Sequence, residues 1–329
     1  MKKRILALLQ AFVLLTAVTA CGTSDTTAGE AADEPGYMSI ATGDTTGSYY
    51  AFGNLLAGYM SDASGYRVDV ISTEGSAANI KEVHYSLSQL GMAQSDIMAY
   101  AWNGDHSFEE DGKMQNFRAL GGLYEEAIQI VTLDDSIETV ADLKGRVVSI
   151  GAENSGVYFN AVDILNAYGI TEEEIDAEYL TFTEAVKAMK AGDVDAAFIV
   201  SGAPTNAIAD LTAEYDVNLV NITGPEAEKL IEQCPYYNKH VILSGTYAGL
   251  DADVTTISVQ ATMIASADMS EKDAYNLTAG IFDNVESISA ILARGIDMSV
   301  ENGTTGITVP FHKGAAKYFA EKGFTVPTE

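Results

Sequence analysis

The residues with the clearest chemical potential form a glycine- and hydroxyl-rich turn from Thr42 to Ser48, with the sequence TGDTTGS. Gly43 and Gly47 allow a tight turn, while the threonine and serine side chains supply hydroxyl groups. An apolar run precedes the turn, and an amphipathic helical pattern begins at Ser48. The first N–H groups of a helix have no acceptor within the helix and carry its positive dipole end. The segment therefore predicts a pocket for an anionic group.

A second turn of the same type, GAENSG, runs from Gly151 to Gly156. It also follows an apolar run and precedes a helical pattern, which begins near Ser155. Two turns of this kind can face each other across a cleft, each directing helix amides toward one ligand. The pair therefore predicts a binding cleft between two halves of the chain.

Asp44 places a carboxylate inside the first turn and leaves two interpretations open. An inward carboxylate would repel a second acid group and favour a ligand with an ammonium group, such as an amino acid. An outward carboxylate would face solvent or cap the helix that follows.

The elements that must position these turns alternate along the chain from Tyr37 onward, with short apolar runs separated by helical periodicity. This alternation predicts an α/β fold with a largely parallel sheet. The predicted strands include 38–41, 90–94, 117–123, 127–133, 177–182, 196–200 and 255–265. The predicted helices include 48–61, 76–87, 155–168, 183–191 and 270–292. Because the runs 124–133 and 255–265 could cross between halves, we expect one lobe of 37–129 plus 258–329 and a second lobe of 130–257.

The N-terminus has the pattern of an export signal. Lys2 to Arg4 are basic, Ile5 to Val18 are mostly apolar, and Val18-Thr19-Ala20-Cys21 has the small residues that precede a lipidated cysteine. The apolar run is shorter than the roughly 18 to 20 residues that a membrane span needs. We therefore predict a signal peptide over 1–20, lipidation of Cys21 and a small, acidic, flexible tether over 21–36. The folded part would be extracytoplasmic and anchored to the cell membrane by the lipid.

Composition excludes several classes of protein. The chain has 18 basic and 47 acidic residues and a net charge of −29, which excludes a nucleic-acid partner. With Cys21 acylated, Cys234 has no partner for an intramolecular disulfide. The histidines, His84, His106, His240 and His312, lack the spacing of a metal site, and no nucleophile and base form a catalytic pattern. We therefore expect no metal, no cofactor and no enzymatic activity.

A series of short motifs covers almost the whole mature chain. In order they are Thr42-Gly43, Thr46-Gly47-Ser48-Tyr49-Tyr50, Glu74-Gly75-Ser76-Ala77-Ala78-Asn79, Gln94-Ser95-Asp96, Leu120 to Val131, Val140 to Gly145, Asn154-Ser155-Gly156, Gly192 to Ala196, Gly202-Ala203-Pro204, Pro235-Tyr236-Tyr237 and Pro310 to Gly323. Together they resemble the TAXI family, the solute-binding subunits of one branch of tripartite ATP-independent periplasmic (TRAP) transporters. Ala41 and Asp44 depart from the glycines that this family usually has in its opening turn.

The resemblance implies a type II periplasmic-binding-protein fold that closes on a small organic acid, such as glutamate, glutamine or a related carboxylate. The ligand would then pass to TRAP-type integral membrane subunits. The resemblance implies a binding site formed by Thr42, Gly43, Thr46, Gly47, Tyr49, Tyr50, Ser76, Asn79, Gln94, Ser95, Asp96, Tyr124, Glu126, Asn154, Ser155, Gly156, Ala203 and Pro204. Hydroxyl groups and helix amides would hold the acid, because no arginine lies within these motifs; Arg118, just upstream of Tyr124, is the first arginine to consider.

An alternative is a receptor of the same fold that serves an ATP-driven importer or a membrane sensor kinase. The sequence of this chain discriminates poorly between these partners. A secreted enzyme is disfavoured, since the sequence contains no cluster of catalytic residues.

Overall fold

The computed structural model describes residues 36–291 and 298–329. The predicted signal peptide, Cys21 and all of the predicted tether except Gly36 lie outside this range. The strands are β1 (Tyr37–Ala41), β2 (Arg67–Ile71), β3 (Leu90–Gln94), β4 (Phe117–Thr132), β5 (Val147–Ser149), β6 (Asp176–Glu178), β7 (Ala196–Ser201), β8 (Asn218–Val220), β9 (Asn238–Ile242) and β10 (Val254–Ser266). The α-helices are α1 (Ser48–Ser64), α2 (Ser76–His84), α3 (Ser95–Asn103), α4 (Gly156–Ala167), α5 (Phe182–Ala191), α6 (Asn206–Thr212), α7 (Pro225–Gln233), α8 (Glu271–Phe282), α9 (Val285–Ile291) and α10 (Lys313–Glu321).

The strands form one mixed sheet with the order β2-β1-β3-β10-β4-β7-β5-β6. At one end β1 pairs in parallel with β2 and β3, and at the other β5 pairs in parallel with β6 and β7. The two long strands in the middle, β4 and β10, are antiparallel to each other. The sheet therefore has two parallel ends joined by an antiparallel centre. The predicted largely parallel sheet is correct for the ends and wrong for the centre, where β4 and β10 pair with their neighbours in antiparallel fashion.

Apolar side chains pack in separate clusters along this sheet. The first cluster takes its members from residues 38–124 and 261–326, with Phe159 of α4 added to them. Two further clusters take theirs from residues 127–259. Between Tyr124 and Ala127, and again between Val259 and Ala261, the chain passes from one group to the other. The predicted division into two lobes stays a prediction, but these packing clusters are its physical basis.

The two crossings are neighbours in the sheet. Tyr124 pairs with Ala261, and Ala127 pairs with Ser258, with register shifts further along the ladder. Within the described residues, a two-stranded antiparallel ribbon therefore connects the clusters. We call it the central ribbon.

Several predicted boundaries differ from the structure. The strands predicted at 117–123 and 127–133 are one strand, β4, because Tyr124 to Glu126 continue the pairing with β10. The helix predicted at 270–292 ends at Phe282, and α9 begins at Val285; residue 292 lies outside the described range. β9 was not predicted, because its sequence NKHVI is polar and mostly exposed at the sheet edge.

The helix starts at the two turns agree with the predictions to within one residue. The first helix, α1, begins at Ser48 after the N-cap Gly47. Ser155 is the N-cap of α4, and its Oγ accepts a hydrogen bond from the Tyr158 amide at 3.3 Å. None of the helices in the described ranges has both the length and the apolar character of a membrane span.

Candidate functional site

The N-termini of four helices meet around one cavity of about 50 Å³. The helices are α1, α2, α4 and α5, and their first residues at the cavity are Ser48, Ser76, Gly156 and Phe182. Neither Gly47 nor Gly75, the N-caps of α1 and α2, caps its helix with a side chain. The cavity is therefore surrounded by helix amides and by the positive ends of helix dipoles.

Asp44 lies at the edge of this cavity with both carboxylate oxygens hydrogen-bonded. Oδ1 accepts from the Thr46 amide at 2.8 Å, the Thr46 hydroxyl at 2.6 Å and the Thr183 hydroxyl at 2.9 Å. Oδ2 accepts from the Thr183 amide at 3.2 Å. Burial would raise the pKa of Asp44, but these hydrogen bonds outweigh it and lower the pKa below its ordinary value. Asp44 therefore orders its own turn and connects it to the start of α5.

Further polar contacts join the two sides of the cavity. The Ser48 amide donates to Ser201 Oγ at 3.1 Å, and Ser201 Oγ donates to Ser48 Oγ at 2.7 Å. The Ala78 amide donates to the Asn154 carbonyl at 3.2 Å, and Asn154 Nδ2 donates to Glu74 Oε2 at 3.0 Å. These contacts connect the starts of α1 and α2 to the end of β7 and the turn before α4, so the cleft is closed in this structure.

Glu126 brings a buried carboxyl group to the cavity. Its side chain is 2 % exposed, and Oε2 accepts a hydrogen bond from the Tyr49 hydroxyl at 2.7 Å. Burial raises the pKa of Glu126 well above its ordinary value; the Tyr49 hydrogen bond opposes this rise, and the nearby Asp96 adds to it. A buried carboxyl of this kind is either protonated or needs a cationic partner.

Gln94 approaches the start of α4 very closely. A methyl group on Gly156 would place its carbon 1.7 Å from Gln94 Oε1, so the residue at 156 must lack a side chain unless Gln94 moves. Gln94 Oε1 is buried without a hydrogen-bond partner in the described structure. The backbone amide of Gln94 donates to Ser76 Oγ at 3.1 Å, which fixes the end of β3 against the start of α2.

A second polar cluster lies outside the cavity lining, between α3 and α4. Asn160 Nδ2 donates to Asp96 Oδ2 at 2.7 Å and to the Tyr237 hydroxyl at 2.9 Å. The Tyr237 and Tyr100 hydroxyls donate to Asp163 Oδ2 at 2.8 and 3.3 Å. Burial raises the pKa of Asp96 to about 7, although the hydrogen bond from Asn160 opposes the rise. Asp96 therefore contacts a residue of α4 rather than the cavity.

The structure brings eight of the predicted site residues to the cavity lining. They are Gly43, Gly47, Tyr49, Ser76, Gln94, Glu126, Ser155 and Gly156. They come from distant parts of the chain, and the starts of α1, α2 and α4 together with the ends of β1 and β3 place most of them. Their role in ligand binding remains a prediction.

Four other predicted site residues do not line the cavity and instead contact neighbouring segments of the protein. Thr42 is fully buried and donates to the Ile71 carbonyl at 2.7 Å. Asn79 donates from Nδ2 to the Thr42 and Met92 carbonyls. Ser95 Oγ accepts from the Gln260 amide at 3.3 Å. Tyr124 packs its ring against Phe52 at a centroid distance of 4.2 Å.

The remaining predicted residues lie around the closed cleft. Thr46 accepts at its carbonyl from the Thr205 hydroxyl and the Ala207 amide, both at 3.3 Å. Tyr50 is half-buried on α1, and Asn154 contacts Glu74. Ala203 and Pro204 lie between β7 and α6.

The sequence analysis missed several residues that line the cavity. They are Thr73, Val157, Leu180, Thr181, Phe182, Val200 and Ser201. A signal was available for two of them. Thr181 begins a capping box with Glu184, which marks a helix start, and Ser201 ends a buried strand, where ligands bind in open α/β sheets.

Basic side chains are absent from the part of the cavity wall that the structure describes. Arg118 lies elsewhere, with its guanidinium 5.1 Å from the Trp102 ring and a hydrogen bond to the Gln115 carbonyl at 2.8 Å. Among residues 36–291 and 298–329, no three His, Cys, Asp or Glu side chains are grouped so that they could hold a metal ion.

The sequence profile of the NMT1-like family matches residues 40–323, a range that contains the whole cavity wall. The chain belongs to the NMT1-like family. Its mixed α/β fold with a curled sheet agrees with the type II periplasmic-binding-protein fold predicted from the sequence.

Solved structures resemble this NMT1-like chain at low sequence identity. A protein from Bordetella bronchiseptica RB50 is 17% identical and has a TM-score of 0.53, over 80% of this chain and 77% of that chain. The alkanesulfonate-binding protein SsuA from Xanthomonas axonopodis pv. citri, bound to MOPS, is 15% identical, with a TM-score of 0.47 over 88% and 85% of the two chains. A putative L-cystine ABC transporter protein from Listeria monocytogenes is 11% identical, with a TM-score of 0.48 over 77% and 91%.

Proposed function

We propose that this protein is a lipid-anchored extracytoplasmic solute receptor of the TAXI family. It closes on a small organic acid, such as glutamate, glutamine or a related carboxylate, and delivers it to TRAP-type membrane subunits. Membership of the NMT1-like family and the type II fold support a receptor. The export signal and Cys21 support the location, and the series of TAXI-like motifs supports the type of transporter.

The observation that carries the proposal is the meeting of four helix N-termini around one cavity whose two sides are hydrogen-bonded to each other. The amides at the starts of α1, α2 and α4 can donate to a carboxylate, and the hydroxyls of Ser76 and Ser155 lie beside them. No arginine is needed for this mode of binding.

Closure would follow from contacts on both sides of the cleft. A ligand that contacts both α1 and α4 stabilises the closed form more than the open form, and it therefore shifts the population toward the closed form. The membrane subunits would then recognise the closed surface.

The first experiment is a thermal-shift screen of the purified protein with L-glutamate, L-glutamine, L-aspartate, 2-oxoglutarate, succinate and short fatty acids. A ligand at 100 times its dissociation constant adds about 2.7 kcal/mol to the free energy of unfolding, so a true ligand gives a clear shift in Tm. We expect a shift with at least one of these acids. If none of them shifts the Tm, the glutamate-like ligands named in this proposal are excluded.

The second experiment identifies the transporter. Proteoliposomes that contain TRAP-type membrane subunits should accumulate the labelled ligand only when this protein is added. Uptake that instead requires an ATP-driven importer and ATP would keep the receptor function and replace the TRAP assignment. Binding without uptake by either system would favour the alternative of a receptor for a membrane sensor kinase.

A further inference from the structure

Three acidic residues are among those that line the cavity. Its carboxyl groups are those of Asp44, Glu74 and Glu126, and the described wall has no lysine, arginine or histidine. Asp44 is hydrogen-bonded to Thr46 and Thr183, and Glu74 accepts from Asn154. Glu126 is the one buried carboxyl among the three, and its one hydrogen bond is the bond from Tyr49. A ligand with two carboxylates would bring further negative charge to this wall without a basic side chain to balance it.

Glu126 and Gln94 offer acceptors for a cationic donor. An ionised carboxylate can accept about four hydrogen bonds, so the Glu126 carboxylate keeps acceptor capacity beyond the bond from Tyr49. Gln94 is 2 % exposed, lines the same cavity and has its Oε1 buried without a partner. An ammonium group supplies three donors and a positive charge, and it would satisfy both groups.

The helix starts provide the complementary site for an anion. Three first-turn amides already donate hydrogen bonds. The Ser48 amide donates to Ser201 Oγ, the Ala78 amide to the Asn154 carbonyl, and the Tyr158 amide to Ser155 Oγ. Among the cavity-lining residues, Tyr49, Ser76, Gly156 and Val157 also have first-turn amides, which lie too early in their helices for acceptors four residues back. One carboxylate can therefore be bound in the same cavity as one ammonium group.

The remaining residues of the cavity wall are mostly apolar and can contact an uncharged side chain of the ligand. Val157, Leu180, Phe182 and Val200 line the cavity, together with the small residue Ala152. Burial of an apolar ligand side chain against these residues contributes free energy in proportion to the apolar area removed from water.

We propose that the cleft binds a zwitterionic α-amino acid with an uncharged side chain. Its ammonium group is bound by the Glu126 carboxylate and Gln94 Oε1, and its carboxylate by the first-turn amides of α1, α2 and α4. This inference rests on the proposed receptor function and narrows its ligand class from organic acids to amino acids that carry a single carboxylate.

The test is isothermal titration calorimetry on the purified protein with matched ligand pairs. The pairs are L-leucine with 4-methyl-2-oxopentanoate, L-alanine with pyruvate and L-glutamate with 2-oxoglutarate; L-glutamine is added as an uncharged match for L-glutamate. We expect one of the uncharged amino acids to bind about 100-fold more tightly than its 2-oxo acid, since a charged hydrogen-bonded pair is lost in the latter. We also expect L-glutamine to bind at least about 10-fold more tightly than L-glutamate.

Glu126→Gln isolates the carboxylate, with Glu125→Gln as the matched control. Glu125 is the preceding residue on β4, but its side chain is exposed and its Oε2 lies 2.9 Å from His240 Nδ1. We expect Glu126→Gln to reduce the preference for the amino acid over its 2-oxo acid by about 100-fold, and Glu125→Gln to leave it unchanged. Circular dichroism verifies that both variants are folded, and the ligand pairs on the unmodified protein test the proposal without any variant.

Three results would overturn the inference. If a 2-oxo acid or a dicarboxylate binds as tightly as the best amino acid, the amino-acid assignment is wrong and the receptor function stands. If Glu126→Gln is folded and keeps the full preference, Glu126 does not bind the ammonium group. If no amino acid and no carboxylate binds, both the inference and the proposed receptor function fail.

Discussion

Asp44 and Thr183, 139 residues apart in the chain, are joined by two hydrogen bonds at the edge of the cavity. One side of this contact belongs to the turn before α1, and the other belongs to the first turn of α5. If ligand binding closes the cleft, these bonds form in the closed state and contribute to its stability.

Removing this contact should weaken ligand binding. We expect Asp44→Ala and Thr183→Ala each to raise the Kd for the receptor's ligand by at least about 10-fold, because a single hydrogen bond to a charged group contributes about 1.5–3 kcal/mol and about 1.4 kcal/mol changes the Kd tenfold. Calorimetric titration measures the effect. Asp62→Ala, which changes an exposed aspartate on α1, is the control and should leave the Kd unchanged. An unchanged Kd in both cleft variants would mean that the contact plays no part in the bound state.

Gly156 provides a steric test of the closed cleft. Gly156→Ala places a methyl carbon 1.7 Å from Gln94 Oε1, so either Gln94 moves or the start of α4 withdraws. We expect ligand affinity to fall by at least about 10-fold. Small-angle X-ray scattering with ligand should show a larger radius of gyration than the unmodified protein has.

The control for this variant is another glycine in a helix. Gly58→Ala lies on α1, where a methyl group would meet no atom within 4 Å. It should leave binding intact and raise the free energy of unfolding by about 0.5–1 kcal/mol, because alanine has the higher helix propensity. If Gly156→Ala binds the ligand with unchanged affinity, Gln94 moves aside without weakening ligand binding.

Asp96 should make folding stability depend on pH. Its pKa in the folded protein is about 7, against an ordinary value of 3.8. Since the folded state holds this proton more tightly, the contribution of Asp96 to stability is greatest below about pH 4 and is lost as the pH rises toward about 7. Urea unfolding should be measured from pH 4 to pH 8. As the pH rises, the free energy of unfolding of Asp96→Asn should increase relative to that of the unmodified protein, by about 4 kcal/mol at most. If the difference in the free energy of unfolding between Asp96→Asn and the unmodified protein does not change with pH, the raised pKa of Asp96 is contradicted.

Cys21 should determine whether the protein is found in the membrane fraction or in the soluble fraction. Cys21→Ser removes the thiol that we propose is acylated. We expect the variant to move from the membrane fraction to the soluble fraction after export and to lose labelling by radioactive palmitate. Cys234→Ser changes the half-buried free cysteine within the fold and should stay in the membrane fraction with its label. A membrane-bound, labelled Cys21→Ser protein would exclude Cys21 as the lipid attachment site.

The two turns were predictable because glycine is preferred in tight turns and glycine, serine and threonine are preferred at helix N-caps. The start of α1 at Ser48 and the cap of α4 at Ser155 follow from this chemistry. The strand 90–94 was also correct, since a short apolar run between two helices has one reasonable interpretation.

Other features depend on distant contacts and were not predictable from the sequence. The sequence predicted separate strands over 117–123 and 127–133, yet Glu126 between them is buried in the continuous strand β4, beside the cavity. Asn79 and Ser95 occupy motif positions but lie outside the cavity wall. Asn79 donates to the Met92 carbonyl and accepts from the Thr73 hydroxyl, and Ser95 accepts from the Gln260 amide. Phe182 reaches the cavity through the packing of α5, for which its local sequence gives no signal.

The central ribbon has a mechanical consequence for binding. Within the described residues, the chain passes between the packing clusters through β4 and β10, and Glu126 immediately precedes Ala127, where β4 pairs with both β10 and β7. If the two sides of the cleft separate, the ribbon is the part that must bend. The free energy needed to bend the two strands is then one contribution to the free energy of ligand binding. A substitution that stiffens the ribbon would change ligand affinity without touching the ligand.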